Sequence, residues 1–202
     1  MGKQSFSLTG LISKRPEVKD YNSLTGDLKI VIDETIREGL KANPILRVKK
    51  SFFKTKHIKP IEENFWQLKW DSIIQIKEWV SESNLFEVLN FFYDITEGEF
   101  IHLDLFNCFA TYKWISEQLK QMREVEDSEL SYTPTAEEKM AGSEMLNEYG
   151  YYVSLDALTG GRMEKEDYYL NLPYSLIFRK LCLNSTKSQI QRNYLENARR
   201  KV

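Results

Sequence analysis

Between residues 103 and 125, apolar side chains recur at Cys108, Tyr112, Ile115, Leu119 and Met122, in steps of four, three, four and three. Those steps draw one stripe along an α-helix and fit no face of a strand, because side chains realign every 3.6 residues in a helix and every two in a strand. A stripe of that kind needs an element lying almost parallel along it. It is short of three heptads, so the covering element is expected within the same chain.

The sequence around it is helical as well. Asp71 is placed to cap a helix over 72–80 that carries Ile73, Ile74, Ile76 and Trp79. Ser83 or Asn84 caps the next, over 85–93, whose Leu85, Phe86, Val88, Leu89, Phe91 and Phe92 cover more than one face, as in a helix buried on most sides. After Gly98 comes the long helix, with Asp104 in its first turn, where negative charge suits the dipole. An acidic link over 124–135 is expected to follow. A helix then starts at Thr133-Pro134, turns Met140, Met145 and Leu146 inward, and stops at Gly150. A helical turn over 154–158, a turn at Gly160-Gly161 and a short helix over 164–170 come next. Pro173 opens a helix to about 183, and Ser185 or Thr186 caps a last one to about 198.

The first third is different. Gly10, Pro16 and Gly26 punctuate an irregular stretch over 1–26. Over 27–40, Leu28, Ile30 and Ile32 alternate like a strand. Leu28, Ile32, Ile36 and Leu40 step by four like a helix, and Glu34, Arg37, Glu38 and Lys41 favour the helix. Asn43-Pro44 ends it. Residues 45–61 are basic and read as extended or hairpin-like. The expected fold class is therefore mainly α: a multi-helix domain over 64–202 ending in a basic C-terminal helix, preceded by an irregular basic arm over 1–63 with one short helix or strand and room for some β structure.

Eleven Phe, eleven Tyr and four Trp in 202 residues are enough to build a core, which excludes wholesale disorder. No apolar run approaches the roughly 18 residues of a transmembrane helix. The first twenty residues lack the apolar core of a signal peptide, so export by that route is not expected and a cytoplasmic location is the default. Two cysteines make no disulfide framework, and each sits among apolar residues as a core side chain does.

The net charge of −2 hides a partition. Residues 1–60 hold 13 Lys and Arg against 6 Asp and Glu; residues 61–175 hold 8 against 23; residues 176–202 hold 7 against 1. Basic ends and an acidic middle neutralise one another within a monomer, or meet between neighbouring chains in a head-to-tail contact.

Chemistry is thin. His57, His102, Cys108 and Cys182 are the only nitrogen or sulfur ligands, and none pair at metal-ligand spacing. Asp94, Glu97 and Glu99 lack the pattern of a calcium loop. There is no nucleophile elbow and no phosphate-binding loop. The expectation is a chain that is not an enzyme and needs no cofactor. The residues that invite a partner are the cations and aromatics Arg47, Lys49, Lys50, Phe52, Phe53, Lys54, Lys56 and Lys59, then Trp66 and Trp70, then Arg192, Arg199 and Arg200. Cations beside aromatics suit nucleic acid. The sequence pI near 5.9 favours an acidic protein surface instead, because dedicated nucleic-acid binders are usually basic overall. Trp66 and Trp70 suit an interface as anchors, but most Trp in a domain of this size are core, and the core reading is favoured.

The order of segments from residue 66 carries a resemblance. LKWDSIIQIKEWV and SNLFEVLNFFYDI form a helix pair leading into LFNCFATYKWISEQLKQMREVE, followed by an acidic link and EKMAGSEMLNEYGYYVSLDALTGGRMEKEDYYLNLPYSLIFRKL with a basic C-terminal helix. This layout resembles the small helical morphogenesis proteins of tailed bacteriophages, of the tail-assembly-chaperone or head-tail connector and ring kind. The resemblance spans about 66–200 and lies in helix order and aromatic placement. It implies a non-enzymatic virion or assembly protein, partnered by other virion proteins in a homo-oligomer or hetero-assembly. The alternative, read from the basic segments themselves, is a nucleic-acid-binding accessory protein using 45–61 and 176–202, with nucleic acid otherwise a secondary partner.

Overall fold

The computed structural model describes residues 17–23, 26, 29, 39–51, 54–130 and 132–199. Over these residues the fold is mainly α, with one antiparallel hairpin. In chain order the elements are α1 (Val18–Asn22), β1 (Leu46–Ser51), β2 (Lys54–Ile58), α2 (Trp70–Ser81), α3 (Leu85–Tyr93), α4 (Glu97–Phe100), α5 (Leu105–Leu130), α6 (Ala136–Met140), α7 (Tyr151–Thr159), α8 (Glu166–Leu170) and α9 (Tyr174–Arg199). Single 3-10 segments occupy Phe65–Gln67, Ser143–Tyr149 and Met163–Lys165. Most of the stretch expected as an arm and a helix or strand over 1–40 lies outside the described residues. The chain divides into two compact units, 1–63 with 78–119, and 64–77 with 120–202.

The first unit is organised by the N-terminal half of α5. Asp104 starts this helix by accepting the N–H of Asn107 at 2.9 Å, so its carboxylate fills one of the orphan donors of the first turn. Cys108, Ile115 and Leu119 of the apolar stripe are buried, and Ala110 on the opposite side of the helix is buried as well. Tyr112 is half-buried and its hydroxyl donates to the Val80 carbonyl at 3.4 Å. The partner expected for the stripe is thus intramolecular at this point. α3 begins where Asn84 accepts the N–H of Glu87 and ends at Asp94 in the left-handed region, φ +49°. It buries Val88, Leu89, Phe92 and Tyr93, with Phe92 edge-on to Trp114 at 6.3 Å. The phenol of Tyr93 donates to the Pro44 carbonyl at 2.7 Å. α1 is tied down by backbone bonds from Val18 to Leu103 and from Lys19 to Ile101, both 3.1 Å.

In the hairpin Leu46 pairs with Ile58, Arg47 with His57 and Val48 with Lys56, and the register slips between Lys49 and Ser51. Leu46 and Val48 point inward and are buried, while Arg47, Lys56 and His57 on the paired strands are exposed. Of the two forms expected for 45–61, the structure takes the hairpin.

The second unit is closed by a short antiparallel bridge. Trp70 N–H donates to the Leu172 carbonyl at 3.0 Å, and Tyr174 N–H returns to that of Leu68 at 2.8 Å. Phe65, Trp70, Ile73, Ile76, Met122, Leu155, Leu158, Tyr174 and Ile177 form its core. Trp66 stacks on Tyr174 with ring centroids 5.7 Å apart, and Phe178 packs against Trp66 at 5.0 Å.

Three expectations are corrected here. The acidic link over 124–135 is helical as far as Leu130: Glu is a good helix former, and Glu126 is held by Lys77 and Tyr174 from outside the segment. The single helix expected from 133 to 149 is broken. α6 ends at Met140, Gly142 adopts φ +86°, and the chain resumes as the 3-10 segment Ser143–Tyr149. The last two helices are one, because Ser185 and Thr186 lie inside α9, where Thr186 donates back to the Cys182 carbonyl at 2.9 Å instead of capping a new start.

Candidate functional site

Of the residues singled out for a partner, the hairpin holds the basic group. Arg47 and Lys56 are exposed on the two strands and Lys59 is exposed just beyond them. Lys49, Lys50 and Lys54 belong to the same strands. Phe52 and Phe53 lie outside the described residues, as does Arg200. One buried polar side chain positions the hairpin root: Asn107 accepts the Arg47 N–H at 2.6 Å and donates to the Ile45 carbonyl at 2.9 Å.

The two tryptophans fall differently. Trp70 is only 4% exposed and meets Tyr151 edge-on, so it is a core residue and offers a partner no surface. Trp66 is half-buried in its stack with Tyr174 and Phe178. Arg192 is also engaged. Its guanidinium lies 4.1 Å from the ring centroid of Tyr132, whose hydroxyl donates to Glu138. That bond lowers the Glu138 pKa and raises that of Tyr132, by favouring the carboxylate and the neutral phenol respectively. Arg199 is the last residue of α9.

The largest departure from expectation is in residues taken for core. Met140 is 82% exposed and Met145 72%, and Leu146 is exposed beside them, because the break at Gly142 stops them from sharing the inner face of one helix. Tyr149, Tyr152 and Val153 are exposed too, so six large apolar side chains face outward within fourteen residues. Met163 and Tyr168 add to them further along the second unit. Single exposed apolar residues are ordinary; a concentration of this kind marks a surface that meets another molecule. Glu144 and Glu148 stand among them, Glu144 within 3.7 Å of Lys139.

α9 presents a second apolar set. It buries Tyr174 and Ile177 and turns Arg192 toward Tyr132. At about 100° per residue, Leu176, Leu183, Ile190 and Tyr194 fall on the opposite side, and all four are exposed. Lys180 and Lys187 flank that line and are exposed as well. The seven-residue spacing of 176, 183 and 190 was available in the sequence. It was hidden by the inward set on the same helix, which satisfies a periodicity argument by itself.

Among the described residues no group of three or more His, Cys, Asp or Glu is gathered in a way that can hold a metal ion, and no helix is long and apolar enough to cross a membrane. Cys108 is buried, and that burial, followed by the nearby Asp104 charge, pushes its thiol pKa far up, away from the reactive thiolate. No protein-family description matches this chain, and no characterised protein or solved structure matches it either.

Proposed function

We propose that this chain is a non-enzymatic structural or assembly protein that works through protein–protein contacts. The observation that carries the reading is the concentration of exposed Met, Leu and Tyr side chains over 140–153, set among carboxylates on the second unit. Flexible Met and rigid Tyr side chains supply contact area at interfaces, and the surrounding charges fix register and speed encounter. The layout resemblance to tailed-phage morphogenesis proteins sets the context: a head-tail connector or ring component, or a tail assembly factor, in the host cytoplasm or the virion. The test is quantitative mass spectrometry of purified particles and of their assembly intermediates. A fixed copy number in either supports the reading, and absence from both removes it.

A second reading draws on the hairpin. Arg47, Lys56 and Lys59 expose three cations on and beside one two-stranded element, an arrangement that can track phosphates. Binding to duplex or single strands that weakens steeply with salt supports it, and no binding at low salt disposes of it.

A further inference from the structure

We infer that the outer stripe of α9 docks on the acidic, Met-rich surface over 140–149 of a second copy of the same chain, so that copies join head to tail. This docking rests on the protein-contact reading proposed above.

The two sides of α9 are engaged differently. The inner side is held by Tyr174 and Ile177 near its start and by the Arg192–Tyr132 contact further on, while Leu195 on that side is 50% exposed. Arg192 lies about 200° round the helix from Ile190, so the contact that seats the helix turns Ile190 away from its own unit. Ile190 is 63% exposed, and Leu183 and Tyr194 flank it along the stripe. A heptad-spaced line of this kind fits the surface of another protein.

Charge selects which surface. From 176 to 199 the helix carries Arg179, Lys180, Lys187, Arg192 and Arg199 against Glu196 alone. Two such helices placed stripe to stripe would set lysines against lysines, which disfavours a symmetric pair. The segment 136–170 holds eight Asp and Glu against three Lys and Arg, and it is where the exposed Met140, Met145, Leu146 and Tyr149 are found. A basic apolar stripe and an acidic apolar surface on one chain, both exposed in the folded protein, complement each other between copies. Because the two surfaces differ, each copy has one of each to offer, and the contact propagates into a ring or an open chain.

The experiment uses the full chain in sedimentation velocity and native mass spectrometry, over rising concentration at low and high salt. Growth through successive multimers, reduced by salt, is expected. Leu183→Glu with Ile190→Glu spoils the helix stripe; Glu144→Lys with Glu148→Lys spoils the acidic surface. Each double variant alone should be a monomer with unchanged helix content by circular dichroism. Their mixture should form a one-to-one pair and nothing larger, because one copy has only a working stripe and the other only a working surface. A wild-type chain that is monomeric throughout, a closed symmetric dimer, or a mixture that forms no pair overturns the inference. A monomer that still occurs in particles overturns this inference and leaves the proposed function standing. A chain that grows as described but is absent from particles and intermediates does the reverse.

Discussion

Asn107 and Arg47 are joined through a 2.6 Å hydrogen bond from the backbone N–H of Arg47 to the side-chain oxygen of Asn107. The same amide gives its own N–H to the Ile45 carbonyl at 2.9 Å, so one side chain in the first turn of α5 replaces the strand neighbour that β1 lacks at its root. Asn107 is itself among the few buried polar residues of the first unit. Replacing it strands a donor and an acceptor near Leu46, which is fully buried. Asn107→Ala is expected to cost about 2 kcal/mol, read from the denaturant midpoint, with faster amide exchange at Arg47. Asn107→Asp keeps the acceptor and loses the donor, so it should fall between the two. Equal midpoints for Asn107→Ala and wild type would show that the hairpin is held by Leu46 and Val48 alone.

Tyr174 anchors the second unit by a comparable device. Its hydroxyl donates to Glu126 at 2.7 Å, and Lys77 holds both oxygens of that carboxylate at 2.9 Å. Burial, then the hydrogen bond to Glu126, raise the Tyr174 pKa above its ordinary value of 10.0. Tyr93 in the first unit is raised as well, by burial and then by the charge of Glu63. A raised folded pKa means that the native state keeps a proton the unfolded chain gives up. The stabilisation is complete below about pH 10 and is lost as pH climbs beyond it. Stability is therefore expected to drop with a steep alkaline slope. Tyr174→Phe should make that slope shallower while costing about 1–2 kcal/mol at neutral pH through the lost bond to a carboxylate. Denaturation curves across alkaline pH check both, alongside tyrosinate absorbance.

α5 is legible where its apolar residues share one stripe, and α3 where its cap is a residue of the expected type. Cys108, Ile115, Leu119 and Met122 are buried as their spacing requires, and Asn84 caps α3 where a cap was expected. What failed did so for reasons no local pattern contains. Glu126 sits in a segment that looks like a linker, yet Lys77 and Tyr174, about fifty residues away on either side, keep it helical. Met140, Met145 and Leu146 have the composition of a core. Hydrophobicity alone does not distinguish a surface buried by folding from one left for a partner. The left-handed backbone at Gly142 makes the difference, and a glycine within a helical stretch only weakly announces it. α9 shows the same limit from the other side: its inward and outward apolar lines overlap in sequence, and only the positions of Tyr174 and Arg192 tell them apart.

Thr111 is fully buried in α5, and its hydroxyl has no hydrogen-bond partner among the described residues. A buried hydroxyl without a partner costs free energy that an isosteric methyl does not. Thr111→Val is expected to raise stability by about 1 kcal/mol, measured as a rise in melting temperature with unchanged helix content. A loss of that size would mean that the hydroxyl has an ordered water or backbone acceptor, and that the site is polar by requirement.

Gly142 decides whether residues 136–149 make one helix or two short pieces. Its φ of +86° is disfavoured for residues with a side chain, and a Cβ there would come within 3.3 Å of the Met145 sulfur. Gly142→Ala therefore meets both backbone strain and a close contact, for an expected loss of about 1 kcal/mol. Amide exchange over 136–149 should report it, because the penalty falls locally. Gly142→Asn should lose less, since Asn tolerates the left-handed region better than Ala. If the exposed Met140, Met145 and Leu146 form the acidic docking surface, Gly142→Ala should also weaken growth of multimers in sedimentation, with α9 untouched. Stability that falls while association stays at the wild-type level would separate the break in the helix from the contact it is argued to build.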